Sequence, residues 1–358
     1  MKNTELSRKI QELLLQSLGA VPHVRHLDYW FDRDDSPSDL TIEVTTDQDV
    51  CRLFVVIKAS GQPRYAREAV ALASMGLNKS SRSGYPVFAA PFVSKAAAQI
   101  CTENCAGYID LAGNCHLAFD GIFLERLGHP NRFASRRSLR SLYQVRSSRV
   151  LRALLYNPNL TWKLSDLSEA AGVSIGQVFN VKKVLIDREW ATFDKEGLKL
   201  VQPEQALRDW GANYSLKKNT LFDFHSTEAL SEMEHKLAER VSAEGLRYAL
   251  TLFPAYARML PSAGYTHLFA YVEGDIHQIA ALLNLKPADS NPNVTLMLPY
   301  DEGVFFGMKP IEGVTTVSQI QAYLDLIGLK GTGEEEAEAL FRQVIQQDWQ
   351  SGTIAARI

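Results

Sequence analysis

Two hydrophobic periods organise the chain, and the change between them falls near its middle. From about residue 25 to 127, short β-branched runs alternate with amphipathic helical segments. "DLTIEVTT" (39–46) and "CRLFVVIKA" (51–59) read as strands joined by the polar turn Asp47-Gln48-Asp49. "PRYAREAVALASMGL" (63–77) has helical period with Pro63 in its first turn, and "YPVFAAPF" (85–92) is a short buried strand. "SKAAAQICTENC" (94–105) is a helix capped by Ser94, and 107–128 supplies two strands hinged at Asp120-Gly121. The N-terminal "MKNTELSRKIQELLLQSLG" is an amphipathic helix with charges spread through it, unlike a signal peptide.

From about residue 146 the pattern becomes helix, helix, tight turn at Gly172, helix and a hairpin turning at Lys195-Glu196-Gly197. That is the order of a winged helix-turn-helix, with Ala170, Gly172, Val173, Val178, Val181 and Leu185 at its small, turn and core positions. Ser174 with Gln177 predicts a capping box at the third helix. Beyond 218 a helix near 226–243 and a second over "RYALTLFPAYARMLP" are expected. Strands at 266–273, 294–300 and 303–309 follow, then helices at 316–329 and 333–349.

The expected architecture is therefore α/β and multidomain. An α/β domain spans 1–130, a basic linker 131–145, a central winged helix-turn-helix 146–215 and a C-terminal α/β domain 216–358. No apolar run reaches the roughly 18 to 20 residues that span a bilayer, and four cysteines without a secretion signal suggest reduced thiols in a cytoplasmic setting.

Charge changes the picture more than composition does. The formal net charge is −3, yet residues 126–165 hold eight arginines and Lys163 with no acid. That window is +9 and the other 318 residues sum to −12. Such a field attracts a polyanion. On the third helix, Ser174, Gln177, Asn180 and Lys183, with Lys182 beside them, form the expected reading face. Gln and Asn suit adenine, and lysine suits phosphate or guanine. Arg136, Arg137, Arg140, Arg146 and Arg149 would add phosphate contacts to double-stranded DNA.

The strand ending in Lys58, followed by a glycine turn and a helix opened by Pro63 and Arg64, has the form of a nuclease active site. Asp39 begins the neighbouring strand. The second metal-binding carboxylate belongs at Val56, which cannot bind a metal, so Glu68 or Glu43 would have to replace it. Asp110 and Asn114 of "DLAGN" are either a turn device or members of the same cleft as Asp39, Lys58 and Arg64. The spacing of Cys101 and Cys105 is within the range for zinc, but Cys115 and His116 are poorly placed as partners because they leave a strand on opposite faces, so buried thiols are the better account. No metal or cofactor is expected, with Mg²⁺ needed only if the chain is a nuclease.

At "VVIKASGQPRYAREA", "YPVFAAPFVSKAAAQIC", "GYIDLAGN" and "SSRVLRALL", residues 10 to 215 resemble the AbiEi antitoxin-type transcriptional regulators of type IV toxin–antitoxin and abortive-infection systems. The first segment also resembles the restriction-endonuclease-like α/β fold with a PD-(D/E)XK-type core, matched by Asp39 and Lys58 and departed from at Val56. The resemblance implies a DNA-binding autorepressor of its own operon, as a homodimer or beside a nucleotidyltransferase-like toxin. A central winged helix makes it a variant architecture. The rival expectations are a Mg²⁺-dependent nuclease and a protein-interaction scaffold.

Overall fold

Alternating side chains give each N-terminal strand one face for a long helix and another for a shorter pair. The computed structural model describes residues 3–32, 36–77, 84–133, 142–260 and 264–352. Two compact units emerge, residues 1–139 with 185–189, and 140–184 with 190–358. Most of the segment 146–215, expected as a domain of its own, is grouped with 216–358, while residues 185–189 at the end of its third helix are grouped with the first unit.

The first unit begins with α1 (Asn3–Gly19), followed by β1 (Val24–Phe31), β2 (Leu40–Thr46), β3 (Val50–Ile57), α2 (Pro63–Leu77) and β4 (Gly84–Ala90). It continues with α3 (Lys95–Glu103), β5 (Gly107–Asp110), β6 (Cys115–Phe119) and β7 (Ile122–Arg126). The strands lie in sequence order. Pairing is antiparallel from β1 to β3, parallel from β3 to β5 and antiparallel again to β7. Leu6, Ile10, Leu14 and Leu18 of α1 pack on Leu40, Ile42, Leu53 and Val55. On the opposite face, Val56 and Phe88 pack with Ala66, Ala69 and Ala73 of α2 and with Ala97 and Ile100 of α3. The small alanines let α2 lie close to the sheet.

Two sequence expectations change here. Residues 107–126 form three strands rather than two, because the DLAGN turn splits the run. Strand β1 was not anticipated. It is an edge strand, largely exposed, so it lacks the alternation that marks a half-buried strand. At the β6–β7 hairpin, Asp120 and Gly121 both take positive φ (42° and 74°), as a two-residue type I′ turn requires.

The second unit opens with α4 (Val145–Tyr156), α5 (Leu164–Ala170), α6 (Ile175–Asp187), β8 (Ala191–Phe193) and β9 (Leu198–Leu200). Trp162, between α4 and α5, adds an antiparallel bridge to Leu198, with N–H···O bonds of 2.8 Å in both directions. Gly197 makes this possible at φ +139°, since a Cβ there would lie 2.3 Å from the Trp162 carbonyl oxygen. Gly197→Ala is expected to destabilise this unit by about 2 kcal/mol, through strain and loss of the bridge. Urea unfolding indistinguishable from the parent would show that the bridge does not hold the hairpin.

After α7 (Pro203–Asn213) come β10 (Thr220–His225), α8 (Leu230–Lys236), β11 (Tyr248–Leu250), α9 (Leu252–Met259) and β12 (Leu268–Val272). Then follow α10 (Ile276–Leu282), β13 (Lys286–Pro287), β14 (Val294–Leu298), β15 (Lys309–Ile311) and β16 (Val314–Thr316). Helices α11 (Gln319–Gly328), α12 (Glu334–Leu340) and α13 (Gln346–Ser351) close the described chain. The sheet runs β13-β10-β14-β12-β11-β16-β15, parallel at β14–β12 and β11–β16. "RYALTLFPAYARMLP" is thus a strand and then a helix, and the strand expected at 303–309 is a 3₁₀ turn (Glu302–Phe305) ahead of β15.

Side chains of α4 explain why the helical motif and this sheet form one unit. Arg152, 1% exposed, donates to Gln321 Oε1 (2.6 and 3.1 Å) and Ser148 Oγ (3.2 Å), with its guanidinium over the Trp210 ring. Trp349 Nε1 donates to the Leu155 carbonyl at 2.9 Å, which fastens α13 back onto α4.

Candidate nucleic-acid interface

Gly172 at φ +59° turns the chain between α5 and α6, and Ser168 Oγ donates to the Val173 carbonyl at 2.6 Å to hold the turn. Half of the expected capping box forms. The Gln177 backbone N–H donates to Ser174 Oγ at 3.4 Å, but the Gln177 side chain instead donates to Ser147 Oγ of α4 at 2.7 Å. Val178, Val181 and Leu185 are buried as expected.

The solvent face of α6 is rotated from the one expected. Ile175, Gly176, Phe179, Asn180 and Lys183 are exposed and, at about 100° per residue, share an arc of roughly 140°. Asn180 and Lys183 belong to it, and Ser174 is exposed at its N-terminal end. Gln177 is half-buried and committed to Ser147. Lys182 is a correction. It is 9% exposed, with Nζ 4.2 Å from the Phe179 ring centre and 3.8 Å from that of Phe193 on the hairpin. Two aromatic rings attract an ammonium into their shared space, so Lys182 braces the helix against β8 and does not meet a phosphate.

The basic run does not persist as one surface. Arg146 is exposed, as are Arg126, Arg132 and Lys163. Arg149 is spent inside the unit. Its Nε lies 3.0 Å from both Asp301 oxygens and its Nη1 lies 2.8 Å from Glu302 Oε1, and the hydrogen bond to Asp301 raises its pKa. Arg152 is buried as described above. Arg136, Arg137 and Arg140 lie outside the described residues. What remains beside α6 is an open groove of about 740 Å³, lined among others by Arg146, Arg149, Ser165, Ser168, Glu169 and Ser174.

In the first unit the nuclease-like residues are each engaged locally. Asp39 Oδ2 accepts the Ile57 backbone N–H at 2.7 Å, pinning β2 to the end of β3. Lys58 Nζ is 2.7 Å from Glu68 Oε1, while Glu43 pairs with Arg52 Nε at 2.9 Å. Val56 is 2% exposed within the alanine-rich layer under α2, where a carboxylate would be costly. Arg64 is exposed in the first turn of α2. Asp110 is wholly buried and accepts from the Val93, Gly113 and Asn114 backbone N–H groups and from Asn114 Nδ2. Asn114 in turn clasps the His129 backbone with Oδ1 and Nδ2 (2.9 and 3.1 Å). This pair closes a turn and offers no oxygen to a cleft.

Among the described residues, no group of three or more His, Cys, Asp or Glu side chains is placed to hold a metal ion. Cys101 and Cys115 are buried, and burial pushes the Cys101 thiol up to about 12. His116 pairs with Glu125 at 3.1 Å.

The second unit also contains a polar core that sequence reading missed. Asp325, wholly buried, accepts hydrogen bonds from the Tyr214 hydroxyl (2.7 Å), Gln321 Nε2 (2.8 Å), the Tyr271 hydroxyl (3.0 Å) and Thr251 Oγ1 (2.5 Å). Burial pushes its carboxyl up to about 6 against the ordinary 3.8. Gln321 joins it to Arg152. Asp325 lies in the pattern as one acid in an apolar helix, "QIQAYLDLIG", and that interruption was its only sequence signal.

Comparison with known families matches residues 199–346 to the family described as "Transcriptional regulator, AbiEi antitoxin, Type IV TA system". The match covers α7 and the C-terminal sheet, whereas the sequence resemblance had been placed on 10–215, so the two overlap only at 199–215. No curated protein and no solved structure matches the chain. Among the described residues, no helix is long and apolar enough to cross a membrane.

Proposed function

We propose that this chain is a DNA-binding transcriptional regulator of the antitoxin type, an autorepressor whose α4–β9 segment works as a winged helix-turn-helix. The observation that carries the reading is the exposed arc of α6, where Asn180 and Lys183 stand free of the core beside a two-strand hairpin. The match of residues 199–346 to antitoxin regulators supports it from an independent part of the chain. Asn180 is suited to adenine and Lys183 to phosphate or guanine, with Arg146, Lys163 and Ser165 flanking them for the backbone. The partners of this reading are double-stranded DNA, a second copy of the chain and a nucleotidyltransferase-like toxin, in a cytoplasmic setting.

The first unit is assigned no cleavage chemistry and needs no cofactor. Its α1-β1-β2-β3-α2-β4 order supports a restriction-endonuclease-like frame, but Lys58 is neutralised by Glu68 and the position of Val56 is apolar. A second reading, a protein-interaction scaffold, is favoured by one observation: Arg149 and Arg152 serve internal contacts rather than a surface field.

One experiment separates the two. Duplex from upstream of the gene and a scrambled duplex are titrated with the full chain across a salt series. The regulator reading expects preference for the native duplex. With three exposed cations (Arg146, Lys163 and Lys183) on the backbone, log Kd should change by about 3 per decade of salt. Equal, weak binding to both duplexes would favour the scaffold.

A further inference from the structure

The arc of α6 is half apolar, and the reading above leaves that half unused. Ile175 and Phe179 are 57% and 54% exposed, one helical turn apart on the same side. Beside them lie Gly176, Asn180 and Lys183, and no carboxylate stands among the five. An exposed isoleucine–phenylalanine pair is costly in water unless something covers it. A ridge built to dock a protein surrounds a central apolar anchor with a polar rim. Here the apolar pair occupies one flank and Lys183 and Asn180 the other, with Gly176 between those two leaving open space where a Cβ would stand.

A split of that kind matches the major groove. Base-pair edges there present donors and acceptors, and the one apolar group available is the thymine 5-methyl. We infer that Phe179, with Ile175, reads thymine methyl groups, so that the preferred duplex carries thymine close to the adenine contacted by Asn180. The inference rests on the DNA-binding reading and adds the identity of the bases. Lys182 has its role here as a positioning residue. Held between Phe179 and Phe193, it fixes the ring before DNA arrives, so that little side-chain freedom is lost on binding.

The test is a selection by the full chain from a pool of duplexes with a random core. In the recovered sequence, thymines are then replaced one at a time by deoxyuridine, which removes the methyl and leaves the pairing edge intact. At one or two positions, uracil should weaken wild-type binding about three- to fivefold, the worth of one buried methyl. Phe179→Ala should lose the discrimination at one at least of those positions, with unchanged helicity, and Phe179→Leu should keep it. Tight, selective binding that is indifferent to every replacement would overturn the inference and leave the regulator reading standing. Full discrimination retained by Phe179→Ala would also overturn it. No enriched sequence at all would remove the regulator reading, and this inference with it.

Discussion

Asp325→Ala is expected to lower the stability of the second unit by about 3–5 kcal/mol, the largest single effect among the substitutions considered. Four donors converge on this carboxylate from α7's C-terminal flank, β12, the turn before α9 and α11. Alanine leaves the three hydroxyls without this acceptor in a buried space and leaves Gln321 Nε2 only the Tyr214 hydroxyl, 3.0 Å away. Gln321 would also lose a partner that orients its Oε1 toward Arg152, so damage should spread to α4 and the helical motif that it opens. Urea unfolding followed by tryptophan fluorescence is the direct measurement, since Trp210 stacks on Arg152. A loss below about 1 kcal/mol would mean that the donors find other acceptors and that the network is not a keystone of the fold.

The same residue has a pH signature whose sign follows from its raised pKa. With the folded value near 6 and the ordinary value 3.8, the native state binds the proton more tightly than the unfolded chain. The contribution of Asp325 to stability is therefore greatest below about pH 4 and is lost as pH rises through 6. Asp325→Asn removes that titration. Between pH 7 and pH 4.5 the parent should gain stability relative to the Asn variant, and parallel curves would contradict the assignment.

Asn180→Ala is the second large effect, a loss of about 10- to 100-fold in affinity for the preferred duplex with the salt slope unchanged. Asn180 is exposed on α6 and can turn both its oxygen and its nitrogen to one adenine. Lys183→Ala should instead weaken binding to all duplexes and reduce the salt slope by about 1. Gln177→Ala separates the observed face from the one inferred from polarity. Its amide is held by Ser147, so its loss should cost DNA affinity less than the loss of Asn180. If Gln177→Ala proved the more damaging of the two on selected duplex, the assigned orientation of α6 would be wrong.

The elements were largely legible in the pattern of apolar residues. The strands containing Ile42 and Val55, the alanine-rich helix after Pro63 and the three-helix-plus-hairpin order after 145 all form close to their expected limits. Strand β1 was missed because an edge strand has no buried partner on one side and so no alternation. Strand β11 was missed because three residues, Tyr248–Leu250, are too few to show a period before α9 begins. The candidate site was less legible. Choosing the polar residues of α6 as its outer face took in Gln177 and Lys182, although counting from the buried Val178, Val181 and Leu185 at about 100° per residue places both beside the core and Lys183, Gly176 and Asn180 opposite it. Ile175 and Phe179, on one flank of that face, were overlooked because they are apolar. Charge misled in the same direction. The +9 run contained arginines with two different fates, and composition cannot separate Arg146 at the surface from Arg152 in the interior.

The sequence alone determined most helices and the half-buried strands of the first unit, because periodicity is a local property that each such segment carries in itself. It also determined that Val56 is no metal ligand, since side-chain chemistry needs no fold to be known. Only the tertiary structure decided which polar residues remain available. Lys182 went to the Phe193 ring on the hairpin, Arg149 to Asp301 some 150 positions away and Asp325 to hydroxyls from three distant segments. Each of those partners comes from packing between remote stretches, where an unpaired buried group is too costly to leave alone, and no local pattern encodes that choice.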